Sequence, residues 1–179
     1  NRNTKLRYRH SRQLTELLQS NFSLAKEDLD QYVIALNNQT LAELELNKHE
    51  EALQSIEKLR MLNTKSTITQ MRIFCFSYTN ELHIYISRGE FEKAESLLNP
   101  IEDGMKKYGN KIGRFRLLFY YNIAYTYFGT GNYSNALLWI NKILNNKESF
   151  FREDIYSFAR VFNLIIHLEL GNKDLLEYI

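Results

Sequence analysis

One short phrase recurs along the chain at a constant interval. It reads Asn47-Lys48-His49-Glu50-Glu51-Ala52, then Gly89-Glu90-Phe91-Glu92-Lys93-Ala94, then Gly131-Asn132-Tyr133-Ser134-Asn135-Ala136, each copy beginning 42 residues after the one before. A looser fourth copy, Gly171-Asn172-Lys173-Asp174-Leu175-Leu176, begins 40 residues further on. A period between about 20 and 50 residues constrains a fold more tightly than composition does. A unit of that length cannot bury its apolar surface alone, so its neighbours must cover it and the units stack.

Inside the unit the periodicity is helical. In the third copy Tyr120, Ile123, Ala124 and Tyr127 precede the turn, and Tyr133, Ala136, Ile140 and Ile143 follow it. Both sets have the spacing of one helical face. Between them Gly129-Thr130-Gly131-Asn132 supplies the glycine that closes a helix in the left-handed conformation. The small Ala124 and Ala136 let two antiparallel helices approach closely. Only one proline and seven glycines interrupt 179 residues, and no strictly alternating β-branched run appears. The chain reads as all-α, built from helical hairpins.

The hairpin resembles a tetratricopeptide repeat, whose pattern sets bulky and small residues before the turn and an alanine with a large apolar residue after it. The third unit meets it with Tyr120, Ile123, Ala124, Tyr127, Ala136 and Ile140. The second meets it with Tyr78, Leu82, Tyr85, Gly89, Phe91, Ala94 and Leu98, while Glu81 takes a slot that is usually apolar. The first keeps Leu36, Asn47, His49, Ala52 and Ile56 but substitutes Thr40 and Glu43, and the fourth supplies Leu164, His167 and Gly171. The resemblance implies a right-handed superhelix of antiparallel helix pairs with about three and a half repeats. Two departures stand out. The step of 42 exceeds the usual period of about 34, roughly one extra turn per helix, and Glu148 replaces the closing proline. Long units of this kind are similar to those of bacterial regulators that sense peptides or bind partner proteins.

The whole chain, 1–179, is expected to form one helical-repeat domain. An N-terminal helix lies within 1–25, units span about 26–66, 67–110 and 111–149, and a partial unit covers 150–179. Helices are expected at about 5–20, 26–46, 49–63, 67–88, 91–108, 112–129, 133–146 and 150–170. A break is expected at Asn99-Pro100-Ile101-Glu102, with Asn99 as the N-cap and Pro100 at the first helical position. A start at Asn1 and an apolar finish from Leu175 to Ile179 suggest a piece of a longer protein. Self-association through the terminal repeats is expected, led by Phe158, Val161, Phe162, Ile165 and Ile166.

A formal net charge of +2 argues against general attraction to nucleic acid or anionic membranes. The basic cluster Arg2, Lys5, Arg7, Arg9 and Arg12 reads first as a solvated helix face or a contact to further sequence, with phosphate or lipid head-group binding the alternative. No apolar run approaches the roughly 20 residues of a membrane span. Cys75, the only cysteine, rules out an intramolecular disulfide and fits a cytoplasmic setting. Its apolar context, Ile73-Phe74-Cys75-Phe76, predicts a buried structural thiol. No phosphate-binding glycine loop, metal-ligand spacing or serine elbow appears, so no catalytic residue, metal or cofactor is expected. His10, His49, His83 and His167 are scattered, and Glu43, Glu45, Glu50 and Glu51 read as solvated helix faces.

One constellation stands apart. Asn38, Asn80 and Asn122 each lie nine residues before the first residue of a turn phrase. In tetratricopeptide proteins the inner helices line a concave groove, and the resemblance implies that asparagines there bond the main chain of an extended peptide. An amide suits the task, because it offers donor and acceptor together. One residue earlier stand Asn37, Thr79 and Tyr121; three residues later stand Leu41, His83 and Tyr125. Phe162 takes the equivalent position in the fourth unit. The candidate peptide-binding residues are therefore Asn38, Asn80, Asn122, Thr79, His83, Tyr121 and Tyr125. The function they suggest is a non-enzymatic scaffold for a protein or peptide segment. Two alternatives remain: a structural spacer or self-association segment whose asparagines bridge helices, and a ligand-sensing array coupled to an output domain elsewhere.

Overall fold

The computed structural model describes residues 2–20, 29–145 and 153–172, and every regular element among them is helical. The chain divides into two compact units, residues 1–84 and 85–179. The expected helix start at 26, Glu148, and the apolar finish from Leu175 to Ile179 lie outside the described residues.

The first unit holds α1 (Arg2–Ser20), α2 (Leu29–Glu45), α3 (His49–Met61) and most of α4 (Thr67–Ser87). Helix α2 lies between α1 and α3, and it is buried on more than one side. Its Tyr32, Val33 and Leu36 form a core with Leu59 of α3, ringed by Leu18, Leu62, Ile73 and Phe76. Helix α1 departs from the usual amphipathic order at all its leucines but Leu18. Thr4, Ser11 and Thr15 are buried, while Leu6, Leu14 and Leu17 are exposed. The basic residues Lys5, Arg7, Arg9 and Arg12 are exposed as expected, with Arg7 paired to Glu45 and Arg12 to Glu16.

The second unit contains α5 (Phe91–Ser96), α6 (Leu98–Tyr108), a 3-10 turn (Gly109–Ile112), α7 (Phe115–Gly129), α8 (Tyr133–Leu144) and α9 (Glu153–Glu169). Helix α7 is central, meeting α5, α6, α8 and α9. Phe119, Ile123 and Ala124 of α7 are sealed from solvent, as are Ala136, Ile140 and Ile143 of α8. The α5–α7 crossing is close because Gly129 has no side chain: the Phe91 ring occupies the place a Cβ would take. On α9, Phe158, Val161, Ile165 and Leu168 are exposed. Phe162 and Ile166, expected among the exposed residues, are instead buried; Phe162 packs on the rings of α7, and α9 as a whole lies against α7 and α8.

The repeated phrase forms the same turn each time. Asn47, Gly89, Gly131 and Gly171 have φ of 56°, 69°, 76° and 76°. After each, the next residue donates its N–H five residues back: Lys48 to Glu43, Glu90 to Tyr85, Asn132 to Tyr127 and Asn172 to His167, at 2.8–3.0 Å. The left-handed residue itself donates three back, to Leu44, Ile86, Phe128 and Leu168. This pair of bonds is the Schellman closure, which satisfies carbonyls that a helix end would otherwise orphan.

The break near Pro100 comes earlier than expected. Helix α5 ends at Ser96, Leu97 is the N-cap of α6, and Pro100 is the third residue of α6. Asn99 is not the cap. Within the first turn of a helix no intrahelical partner exists for the backbone N–H, so proline loses nothing there.

Candidate functional site

Nine residues is two and a half helical turns, so each Schellman closure fixes where its asparagine stands on the preceding helix. In the first unit Asn38 is exposed on α2, beside the exposed Leu41. Asn80 on α4 is 5% exposed, and its side-chain Nδ2 donates to Asn37 Oδ1 of α2 at 3.0 Å. The amide thus fastens α4 to α2. Thr79 is half-buried, with a hydroxyl oxygen that has no partner among the described residues. His83 reaches solvent, but loss of water around the ring, and secondarily the charge of His49, lowers its pKa.

In the second unit Asn122 is half-buried on α7. Tyr121 and Tyr125 lie one turn apart with ring centroids 6.1 Å from each other, and both meet Phe162 of α9, at 6.4 and 5.4 Å. Phe128 adds a contact to Phe162 at 5.0 Å, and Phe91 one to Tyr125 at 6.3 Å. Burial first, and Tyr125 second, raises the Tyr121 pKa. These tyrosines are therefore part of an aromatic seam between α7 and α9, with each ring still partly open. Phe162, nine residues before Gly171 as each asparagine is before its own turn residue, is the knob of that seam.

The structure so joins Asn80 to Asn37 in one unit and Tyr121 to Tyr125 in the other. No family model matches the chain, and no curated protein or solved structure does. Among the described residues no group of three His, Cys, Asp or Glu could hold a metal ion, and no helix is long and apolar enough to cross a membrane.

Sequence reasoning missed a buried polar network in the first unit. Thr15 Oγ1 donates to Gln39 Oε1 at 2.5 Å, Gln39 Nε2 donates to Glu43 Oε1 at 2.8 Å, and Ser55 Oγ donates to Glu43 Oε2 at 2.9 Å. Glu43, expected on a solvated face, is 1% exposed. Desolvation raises its pKa, opposed by the bonds from Gln39 and Ser55. The repeat register carried the signal, since position 43 aligns with Tyr85 and Tyr127. Glu81 is likewise buried and pairs with Arg60, whose guanidinium lies 4.5 Å from the Tyr78 ring centroid. Cys75 is fully buried as expected, and burial pushes its thiol up to about 12.

Proposed function

We propose that this chain is a tetratricopeptide-like α-solenoid segment that binds an extended peptide or partner segment without catalysing a reaction. What supports this is the recurrence of one Schellman turn in the same register, with Asn38, Asn80 and Asn122 each nine residues before it. Equivalent amides on successive leading helices offer a peptide main chain alternating donors and acceptors. Asn38 is exposed and Asn122 is half-buried, each within its own unit. Tyr121 and Tyr125 supply aromatic area of the kind that anchors partners.

The Asn80–Asn37 bond favours a second reading for that one position, a fastening between helices. The two roles separate by mutation. Against a peptide selected from a random library, Asn38→Ala and Asn122→Ala should each weaken binding by about 0.5–1.5 kcal/mol and leave melting unchanged. Asn80→Ala should lower the melting temperature as well. Asn132→Ala, in a turn, should leave binding alone. Selected peptides that bind wild type and the Asn38→Ala and Asn122→Ala variants equally would refute the peptide role and leave the structural spacer.

A further inference from the structure

A cavity of about 320 Å³ opens on the second unit among α6, the 3-10 turn, α7 and α8. Its apolar wall consists of Met105, Ile112, Tyr120 and Trp139, with the Tyr120 and Trp139 rings 5.4 Å apart and tilted by 55°. Its charged lining is Lys106, Arg116 and Lys142 against Glu102 alone. Positions 120 and 122 are about 200° apart around α7, so this cavity does not share a face with Asn122.

Two of the cations are held in position. One terminal nitrogen of Arg116 donates to the Gly109 carbonyl at 2.8 Å and to Asn110 Oδ1 at 3.0 Å, leaving the remaining N–H groups of the fork outside that anchor. Gly109 and Gly113, with φ of 52° and 48°, bracket the 3-10 turn that presents those acceptors. The Lys142 ammonium lies 3.3 Å from the Trp139 ring centroid and 5.9 Å from that of Tyr120. Partial burial lowers the Lys142 pKa, and the carboxylate of Glu102 offsets only part of this. A partly desolvated cation gains more from an arriving anion than a fully hydrated one.

The geometry points to a binding site for a small aromatic carboxylate, its ring against the Tyr120, Ile112 and Trp139 wall and its anionic end toward Lys142 and Arg116. The volume lies at the small end of ligand pockets, and an apolar wall with a few converging polar groups is their usual composition. Of the aromatic pair, Tyr120 is the half-buried ring and the one open to a flat ligand ring, while Lys142 sits over Trp139. Of the cations lining the cavity, Arg116 presents the planar fork that matches a carboxylate.

Trp139 is the only tryptophan, so its indole N–H gives a single signal in a 15N-correlated spectrum. Sodium benzoate titrated to about 10 mM, a range that captures millimolar binding, should shift that signal saturably. Acetate, which lacks the ring, and benzyl alcohol, which lacks the charge, should give no saturable shift at matched ionic strength. Lys142→Gln should weaken benzoate about tenfold, while Lys142→Arg keeps it within a few-fold. Lys142 is exposed, so unchanged thermal melting confirms that both variants fold. Absence of a saturable shift in wild type overturns the proposal. So does equal affinity of wild type and Lys142→Gln, which would mean an adventitious additive only. Asn122→Ala should leave benzoate binding unchanged, so this test and the peptide test fail independently.

Discussion

Replacing Glu43 tests the buried network most directly. Glu43→Ala removes the acceptor for Gln39 Nε2 and for Ser55 Oγ, both inside the α1–α2–α3 packing. Each buried donor left unpaired costs about 1–3 kcal/mol, and releasing a desolvated carboxylate returns part of that. A net loss of about 1–3 kcal/mol is expected, or roughly 2–12 °C in melting temperature at this chain length. Glu43→Gln behaves differently. It keeps an acceptor for Gln39 and turns its amide toward Ser55, whose hydroxyl can rotate to accept. The charge disappears, and with it the desolvation that raises the Glu43 pKa.

The sign follows from linkage. A carboxyl whose folded pKa lies above its unfolded value binds its proton more tightly when folded. Its stabilising contribution is complete below the unfolded pKa and is lost as pH rises through the folded one. Wild type should therefore gain on Glu43→Gln as pH falls into the carboxylate range, and Glu43→Gln should be the more stable at pH 7. The assay is thermal melting by circular dichroism from about pH 3.5 to 7.5, a window that brackets the ordinary glutamate pKa. A Glu43→Gln protein less stable than wild type at pH 7, with a gap that does not change with pH, would show that Glu43 is stabilising as a charge.

Gly129→Ala should destabilise by about 1–3 kcal/mol in the same melting assay, because the added methyl overlaps the Phe91 ring; an unchanged melt would mean the α5–α7 crossing is looser than described. Cys75 should resist alkylation in the folded protein at pH 8 and react on denaturation, since its thiol is pushed up to about 12; stability should also fall as pH rises above the free-thiol range of about 8.5. Sedimentation should show concentration-dependent self-association that Phe158→Glu and Val161→Glu together reduce, because α9 leaves Phe158, Val161, Ile165 and Leu168 exposed; a strict monomer at high concentration would refute it.

The turns were legible from sequence because their cause is local. A Schellman closure needs one left-handed residue and bonds spanning six residues, so Asn47, Gly89, Gly131 and Gly171 announce it in the sequence alone. Helix spans followed from the 3.6-residue period, as in α8, expected at 133–146 and described as Tyr133–Leu144. The break beside Pro100 was also readable, because a missing N–H is a property of one residue. Where it falls was not, since Leu97 caps α6 while the side chain of Asn99 bonds no helix start.

What depends on a neighbour stayed hidden. Periodicity says that a face is covered, not by what. Glu43 looks like a surface carboxylate until Gln39 and Ser55 donate to it, and nothing local to Asn80 names Asn37 as the acceptor for its amide. Helix α1 misleads for the same reason: leucines normally mark the buried side, yet Thr4, Ser11 and Thr15 are the buried residues and Leu6, Leu14 and Leu17 the exposed ones. The cavity at Trp139 unites residues from four elements, Met105 to Lys142, that no single period connects. Local conformation is decided within a few residues by backbone sterics and hydrogen bonds. Burial of a polar group is decided by the partner brought to it across the chain, and only the tertiary structure supplies that partner.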